Sequence, residues 1–292
     1  MAAAKIGVID SKKLPTDEEK AIAFHVLEPV DPSDCDTYIL LPSMGDLRHE
    51  FRYLWELLHD SGRNRVVCTD LRGMGDSDTT FCSYTPDDTG RDLLKLMRHI
   101  GGASFILVGC SMSAASVVYA AAEEPSKVKG MIFISPFIWD HKMPFGVPTL
   151  LSLLLNSCTG PSFWTDYYKS LYTMKEKPVH DMDEYAVRLK SNLCESGRIS
   201  VLRGHIFASK ETCSAKITDV CGGGGVHAVP AYAVYGSKDP DFPDPTKELA
   251  ELSARFPQLS SSLMIENAGH YPHVEDPQKV YEGISAFVAS LK

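Results

Sequence analysis

The amino-acid sequence predicts an α/β protein built on a doubly wound, mostly parallel sheet with a helical insertion. Apolar runs with strand character alternate along the chain with helical segments, which is typical of parallel sheets covered by helices on both faces. The stretch 139–226 instead shows several helical segments and no strong strand signal. A chain of 292 residues is long enough to bury the core of such a domain.

The elements follow from the periodicity of apolar residues along the chain. An antiparallel edge strand and the central strands are predicted at residues 21–27, 37–41, 64–69, 105–108, 129–135, 231–235 and 263–265. Helices of the core are predicted at residues 49–59, 89–100, 114–122 and 278–291. Helices of the insertion, rich in Leu, Tyr and Phe, are predicted at residues 148–158, 161–173, 181–196 and 198–209.

This pattern divides the chain into two parts. Residues 1–138 and 227–292 are predicted to form the core, and residues 139–226 are predicted to form the insertion. The run Gly222 to Gly225 is expected to act as a flexible connector back into the core.

Charge and hydropathy argue against several classes of partner. The formal net charge of −9 argues against a nucleic-acid surface or an anionic membrane. No apolar run approaches the roughly 20 residues of a transmembrane helix, so no membrane span is predicted. The first residues lack the apolar core of a secretory signal, and we expect a cytoplasmic protein.

The eight cysteines show neither a C-x-x-C pair nor the spacing of metal ligands. Several lie inside predicted strands or helices, where a free cysteine behaves as a small hydrophobic residue. We therefore predict no metal site, no disulfide framework and no cofactor. Scattered free thiols also favour a reducing compartment.

The most informative motif lies at residues 105–113. The apolar strand 105–108 leads into Gly109 and Ser111, and the small-residue helix 114–122 follows. Strand, sharp turn and helix in this order form a nucleophile elbow, which holds a serine hydroxyl clear of the end of the sheet. The usual pattern is G-x-S-x-G. Ser113 occupies its last position and is small enough to let helix and strand approach each other.

Two later motifs contain the partners that a serine nucleophile needs. Asp239 follows the strand 231–235, and His270 lies near the C-terminus in the pattern G-H-x-P-x-x-E-x-P. With Ser111 they give the chain order Ser, Asp, His. Together with the D-x-R-G-x-G-x-S pattern at residues 70–77, these motifs resemble those of the α/β-hydrolase superfamily. The resemblance extends from about Tyr38 to the C-terminus.

The resemblance implies a catalytic triad in which Ser111 is the nucleophile, His270 the general base and Asp239 the acid that orients the base. Other acids remain open for the third role. Asp241 and Asp244 lie in the same loop as Asp239, and Asp140 follows the strand 129–135, where some hydrolases of this fold carry their acid.

His273 follows His270 by three residues. The family pattern makes the first histidine of this motif the base, so His273 is expected to be a packed or hydrogen-bonded loop residue.

The resemblance also implies an oxyanion hole made by two backbone N–H groups. One donor is expected from Met112, directly after the nucleophile. The other is expected from Met44 in the loop after strand 37–41, with Ser43 as the nearby alternative, although this loop lacks the family's usual His-Gly. The insertion is expected to cap the site, and the predicted substrate contacts are Ser43, Phe137, Trp139, Trp164 and Tyr168.

The predicted function is that of a capped, cofactor-free serine hydrolase that cleaves a small apolar ester or lactone through a Ser111 acyl-enzyme. Epoxide hydrolases and haloalkane dehalogenases of this fold carry an aspartate at the elbow, so the serine excludes them. Cleavage of C–C bonds by a hydrolase or lyase with the same triad, perhydrolase chemistry, and a ligand receptor with little turnover all stay open. A small-molecule substrate is expected, and a homodimer stays open as an assembly state.

Overall fold

A mixed sheet lies at the centre of the protein, whose computed structural model describes residues 11–16, 19–33, 35–223 and 227–291. The strands run in the spatial order β1-β2-β4-β3-β5-β6-β7-β8. Their bounds are β1 Lys12–Pro15, β2 Ala21–Leu27, β3 Thr37–Leu41, β4 Arg65–Thr69, β5 Phe105–Cys110, β6 Val128–Ile134, β7 Ala231–Gly236 and β8 Leu259–Ile265. Pairing is antiparallel between β1 and β2 and between β2 and β4, and parallel in every other neighbouring pair. The predicted fold class is confirmed.

Helices cover the sheet and fill the connection between β6 and β7. Those of the core are α1 Leu54–His59, α2 Pro86–Ile100, α3 Ser113–Glu123, α10 Pro245–Arg255, α11 Pro272–Glu275 and α12 Pro277–Ser290. Those between β6 and β7 are α4 Val147–Leu154, α5 Gly160–Ser170, α6 Met182–Leu193, α7 Arg198–Phe207, α8 Glu211–Ser214 and α9 Ile217–Val220. Short 3₁₀ turns lie at Arg48–Phe51, Asp60–Gly62 and Pro125–Lys127.

The strand order reverses between β3 and β5, which are neighbours in the sheet although β4 lies between them in the chain. At such a switch point the loops at the carboxyl ends of the two strands separate and open a crevice. The loop after β3 and the turn after β5 therefore meet at this crevice. They are the two segments for which the sequence predicts the oxyanion hole and the nucleophile.

Burial explains why the central strands are apolar throughout. Every residue of β3, β5 and β7 is buried, as expected for parallel strands that helices cover on both faces. The edge strand β8 exposes the serines at its start and buries only Ile265 at its end. This exposed serine-rich start explains why the sequence predicted only its apolar last residues as a strand.

Several predicted element bounds were wrong, and each has a local cause. The helix predicted at 49–59 is split into the 3₁₀ turn Arg48–Phe51 and α1. Helix α2 begins at Pro86, before the predicted residue 89, because the Thr85 side chain accepts a hydrogen bond from the Asp88 amide and caps it. The helix predicted at 161–173 ends at Ser170, since the next residues pair with the loop that carries His270.

The stretch between β6 and β7 is helical in its described part, as predicted. It contains α4 to α9 and no strand up to Gly223. Of the predicted connector, Gly224 and Gly225 lie outside the described residues, as does Val226. The division into a core and an insertion domain stays a prediction.

Buried polar contacts fasten this helical stretch to the loops at the carboxyl ends of the strands. Arg198 of α7 donates hydrogen bonds to the carbonyl oxygens of Gly73 at 2.8 Å, Ser77 at 2.7 Å and Gly75 at 2.6 Å, all in the loop after β4. Arg52 forms a bidentate ion pair with Asp181, in which its Nε and Nη2 donate to the two carboxylate oxygens at 2.7 and 2.8 Å. The helices therefore sit on this end of the sheet through fixed contacts.

None of the helices in the described part of the chain has both the length and the apolar character that crossing a bilayer requires.

A buried ion pair on the other side of the loop after β4 provides a test of this fold. Arg72 bonds Asp92 of α2 through two nitrogens at 2.8 and 2.9 Å, and both side chains are buried. Asp92→Ala is expected to lower the free energy of unfolding by about 3–5 kcal/mol, because the buried Arg72 guanidinium loses the carboxylate that binds it through two nitrogens. Urea unfolding followed by circular dichroism measures this loss.

Glu251→Ala is the control, because the Glu251–Arg255 pair on α10 is half exposed. Its loss should stay within about 0.5 kcal/mol. Equal losses of unfolding free energy in Asp92→Ala and Glu251→Ala would contradict the claim that the buried pair stabilises the fold more than the exposed one.

Candidate active site

Ser111 lies at a left-handed turn between β5 and α3. Its φ is +54°, a conformation that costs a residue with a side chain of the order of 1–2 kcal/mol. Two backbone hydrogen bonds hold the turn: the Ser111 N–H donates to the Ile134 carbonyl at 2.8 Å, and the Phe137 N–H donates to the Ser111 carbonyl at 3.0 Å. A Cβ on Gly109 would lie 2.7 Å from the backbone of Ser113 and Ala114. Only glycine therefore fits there, and the nucleophile elbow has the predicted shape.

Ser113, which departs from the family's last glycine, has a role of its own. Its buried hydroxyl donates a hydrogen bond to the carbonyl oxygen of Pro42. Pro42 begins the loop after β3, so this bond ties the elbow to the segment predicted to form the oxyanion hole. The sequence predicted only that a small residue fits at this position, because a partner 71 residues away leaves no local signal.

His270 and Asp239 come together at the ends of β8 and β7. The His270 Nδ1 lies 2.8 Å from Asp239 Oδ2, and both side chains are buried. Phe137 connects this pair to the elbow: its N–H bonds the Ser111 carbonyl, and its ring centroid lies 5.9 Å from that of His270. Ser111, Asp239 and His270 thus follow the carboxyl ends of β5, β7 and β8, which run parallel in one sheet.

The other acids occupy different positions. Asp241 Oδ2 lies 3.6 Å from His270 Nδ1, and its other oxygen accepts a hydrogen bond from the Tyr167 hydroxyl. Asp244 caps the start of α10. Asp140 is exposed and accepts hydrogen bonds from the Ser209 hydroxyl at 2.6 Å and the Lys210 amide at 3.0 Å. Among these acids, Asp239 is the one that hydrogen-bonds His270.

Opposing effects set the charge state of His270. Burial disfavours its imidazolium, but the carboxylates of Asp239 and Asp241 outweigh burial and raise the pKa of His270 to about 9. The imidazole of His270 is therefore a stronger base than a free histidine side chain.

Glu275, the acid of the G-H-x-P-x-x-E-x-P pattern, fixes the loop that carries His270. Its Oε2 accepts a hydrogen bond from the Gly269 amide at 2.6 Å, and its Oε1 accepts from the amides of Thr173 and Met174 at 2.8 and 2.6 Å. The sequence placed Glu275 in the motif but gave it no role, since its partners include a segment of the insertion about 100 residues away.

The loop after β3 contains both engaged and open backbone donors. The Ser43 N–H donates to Glu50 Oε2 at 2.7 Å, so it is already engaged. The N–H groups of Met44, Gly45 and Met112 have no acceptor among the residues that the structure describes. Unpaired amides beside the elbow are what an oxyanion hole requires, and of the two predicted candidates in this loop Met44, not Ser43, has the open N–H.

The predicted substrate-contact residues differ in their surroundings. Phe137 stacks on Phe242 at 4.5 Å between ring centroids and faces His270. Trp164 lies over the loop after β3, and its Nε1 donates to the Gly45 carbonyl at 3.0 Å. These two aromatic residues border the elbow and the predicted oxyanion hole.

The other three have polar or packing partners. The Ser43 hydroxyl pairs with the Tyr271 hydroxyl at 2.8 Å. Tyr168 is buried, with its ring centroid 5.1 Å from that of Tyr271. Trp139 lies under the Arg255 guanidinium, 4.3 Å from the ring centroid, which gives it a packing partner on α10.

Two groups of side chains in the described part of the chain combine residue types that bind metals. Asp239, Asp241 and His270 form the first, which the predicted triad already accounts for. Glu50, Cys110 and His273 form the second, and it is fully buried. Burial raises the pKa of the Cys110 thiol well above its usual value, so the thiolate that binds metals is disfavoured. The absence of a metal stays a prediction.

Comparisons with known proteins bear on this architecture. Residues 39–157 match the family model described as alpha/beta hydrolase fold. Among solved structures, a thermophilic esterase from Thermogutta terrifontis superposes with a TM-score of 0.76 at 19% identity, over 97% of this chain and 99% of that one. A bromoperoxidase from Bacillus anthracis gives 0.78 at 14% identity, over 96% and 100%. The enol-lactonase from Burkholderia xenovorans LB400 gives 0.74 at 16% identity, over 96% and 100%.

A search among curated proteins finds no significant match to the chain. The family match and the shared architecture nevertheless confirm the resemblance that the motifs predicted. The protein has the α/β-hydrolase fold.

The hydrogen bond from Ser113 to the Pro42 carbonyl can be tested on α3 itself. Ser113→Ala is expected to lower the free energy of unfolding by about 1–2 kcal/mol, because a buried carbonyl oxygen loses its donor. Ser116→Ala is the matched control, since the Ser116 hydroxyl is buried without a hydrogen-bond partner in the described structure. Removing that hydroxyl should leave the stability unchanged or raise it, and urea titration of both variants makes the comparison. A larger loss in the Ser116 variant would be inconsistent with this account.

Proposed function

We propose that the protein is a serine hydrolase that cleaves a small, largely apolar ester or lactone through an acyl-enzyme on Ser111. The observation that carries the proposal is the buried hydrogen bond of 2.8 Å between His270 and Asp239, next to a serine at a left-handed turn. A serine hydroxyl is a weak nucleophile until a base accepts its proton and a third group orients that base. In the proposal His270 is that base and Asp239 is the group that orients it.

The proposed reaction has two halves. In the first, His270 Nε2 takes the Ser111 hydroxyl proton while the serine oxygen attacks the carbonyl carbon. The negative oxygen that results accepts hydrogen bonds from the N–H groups of Met44 and Met112. His270 then protonates the leaving alcohol, and the carbonyl re-forms as the acyl-enzyme.

In the second half, His270 accepts a proton from water, and the resulting hydroxide attacks the acyl carbon. The tetrahedral intermediate collapses as His270 returns the proton to Ser111, and the carboxylic acid leaves. Asp239 holds the imidazole so that Nε2 faces the serine, and its negative charge stabilises the imidazolium in both halves.

The surroundings favour an apolar substrate. Phe137, Phe242 and Trp164 border the elbow and the loop after β3, and aromatic walls with few polar groups suit an apolar acyl or alcohol group. The helical stretch that carries Trp164 would then act as the cap that selects the substrate. Two of the similar structures are named as an esterase and an enol-lactonase, which supports esters or lactones as the class to test.

No contact in the described part of the chain favours C–C bond cleavage, perhydrolase chemistry or a receptor role over ester cleavage. A homodimer and a cytoplasmic location stay predictions from the sequence.

The nucleophile is tested by Ser111→Ala. Turnover of p-nitrophenyl acetate is expected to fall at least about 10³-fold, because the covalent intermediate cannot form. A fluorophosphonate probe should label the wild-type protein on the peptide that contains Ser111 and should not label the variant, as read by mass spectrometry. Ser116→Ala is the control and should be labelled at the wild-type rate. Folded wild-type protein that resists the probe would count against the proposal.

The pH dependence of the rate tests the base. His270 must be neutral to accept the serine proton, so kcat/KM for phenyl acetate is expected to rise with pH and reach half its maximum near the pKa of about 9. Asp241→Asn should move this midpoint to lower pH, because it removes a carboxylate that stabilises the imidazolium.

Asp244→Asn serves as the control for the same loop, since Asp244 caps α10 and should leave the midpoint unchanged. A wild-type midpoint at or below pH 6.5 would contradict a pKa of His270 raised by the neighbouring carboxylates.

A further inference from the structure

Glu50 is a buried carboxyl group that the proposed reaction does not use. It lies on the 3₁₀ turn Arg48–Phe51, directly after the loop that follows β3, and its side chain is 0% exposed. Burial raises the pKa of this carboxyl, and Asp46 lies close enough for each acid to affect the other. Burying an acid is costly unless its oxygens have partners.

The partners of Glu50 point to the loop of residues 42–45, which we call the oxyanion loop. Glu50 Oε2 accepts the hydrogen bond of 2.7 Å from the Ser43 N–H. Its Oε1 lies 3.2 Å from His273 Nε2 but without hydrogen-bond alignment, and the Cys110 thiol and the Asp46 carboxyl are its other polar neighbours. The well-formed contact of this buried acid is therefore the one with the oxyanion loop.

Three further polar groups of the oxyanion loop have partners. The Ser113 hydroxyl donates to the Pro42 carbonyl, the Tyr271 hydroxyl pairs with the Ser43 hydroxyl, and Trp164 Nε1 donates to the Gly45 carbonyl. With the Ser43 amide held by Glu50, the N–H groups of Met44 and Gly45 have no acceptor among the described residues, and the Met44 N–H belongs to the peptide directly after the one that Glu50 holds. Of the adjacent amides of Ser43 and Met44, that of Ser43 is therefore held by Glu50 and that of Met44 is free to bind a substrate oxygen.

We propose that Glu50 is a positioning residue of the oxyanion hole, an inference that rests on the proposed function. By accepting the Ser43 N–H, Glu50 fixes the peptide plane between Pro42 and Ser43. The next peptide, which carries the Met44 N–H, is then held towards the carbonyl oxygen of the substrate. Glu50 acts through the backbone and does not touch the reacting atoms.

The chemistry of an oxyanion hole explains why such positioning matters. Its donors stabilise charge that develops only in the transition state, so they must already be aligned when the reaction begins. A loop free to rotate its peptides would offer the Ser43 and Met44 amides alternately. Loss of Glu50 should therefore lower kcat much more than it changes KM.

Two substitutions at position 50 test the proposal with p-nitrophenyl acetate. Glu50→Leu removes the acceptor, and kcat is expected to fall about 10²-fold, as on loss of one oxyanion donor, with KM within about threefold of wild type. Glu50→Gln keeps an acceptor oxygen for the Ser43 N–H, and its kcat should stay within about fivefold of wild type. This rescue by the conservative variant would not be expected if the charge of Glu50 were what mattered.

Asp92→Asn is the matched control, because Asp92 is also a buried acid but pairs with Arg72 far along the chain from the oxyanion loop. It should lower the melting temperature while leaving kcat unchanged.

If Glu50→Leu does not fold, Glu50→Asp replaces it in the test, because this variant keeps a buried carboxyl group but shortens the side chain by one methylene. Its kcat should fall at least tenfold.

The outcomes separate this inference from the proposed function. Active wild-type protein with unchanged kcat in folded Glu50→Leu or Glu50→Asp would overturn the role of Glu50 alone. Equal losses of kcat in Glu50→Leu and Glu50→Gln would also overturn it, because the acceptor would then be irrelevant. Wild-type protein with neither turnover nor labelling of Ser111 would overturn the proposed function and, with it, the role of Glu50.

Discussion

The left-handed turn at Ser111 is the constraint on which the arrangement of the site depends. A φ of +54° is unfavourable for a serine, and the surrounding structure must hold the residue there. The Ile134 carbonyl and the Phe137 amide do so through hydrogen bonds to the Ser111 backbone, and Gly109 leaves the space in which α3 passes close to β5. Because strained backbone persists only where its neighbours fix it, the turn links packing of the sheet directly to the position of one hydroxyl group.

Polar contacts between residues far apart in the sequence join the turn at Ser111 and the loop of His270 to other segments. Ser113 connects the elbow to the loop after β3, and Glu275 connects the loop of His270 to residues 173–174 of the helical insertion. The His270 amide itself donates to the Leu171 carbonyl at 2.9 Å. The stretch between β6 and β7 therefore helps to hold the loop that carries His270, so under the proposed function changes within residues 171–174 would affect the position of the base.

The sequence was sufficient for the fold class and for the positions of Ser111, Asp239 and His270 after β5, β7 and β8. These residues carry local signals, since each follows an apolar strand and lies in a short pattern that turn geometry requires. The parallel centre was readable from apolar runs, but the edge was not: the strand predicted there, Ala21–Leu27, lies between β4 and the unpredicted edge strand Lys12–Pro15. The predicted ends of helices were wrong where a capping side chain or a distant partner determines them, as at Thr85 before α2 and after Ser170 of α5.

Contacts between distant residues were not predictable from the sequence. The sequence predicted Met44 as the donor but left Ser43 as the alternative, because what engages the Ser43 amide is an acid seven residues away whose side chain is buried. Trp139 was grouped with the substrate contacts on its residue type, whereas its ring lies against Arg255 of α10. The roles of Glu50 and Glu275 likewise depend on which backbone amides tertiary packing brings to them.

A crystal structure of the protein with a phenylboronic acid would test the central claim most directly, because a boronate mimics the tetrahedral intermediate of acyl transfer. The account predicts a bond between boron and the Ser111 oxygen. It also predicts one boronate oxygen within about 3.1 Å of the amide nitrogens of Met44 and Met112, and His270 Nε2 within hydrogen-bond reach of the serine oxygen. A boronate bound elsewhere, or joined to Ser111 with its oxygen facing away from both amides, would contradict the account.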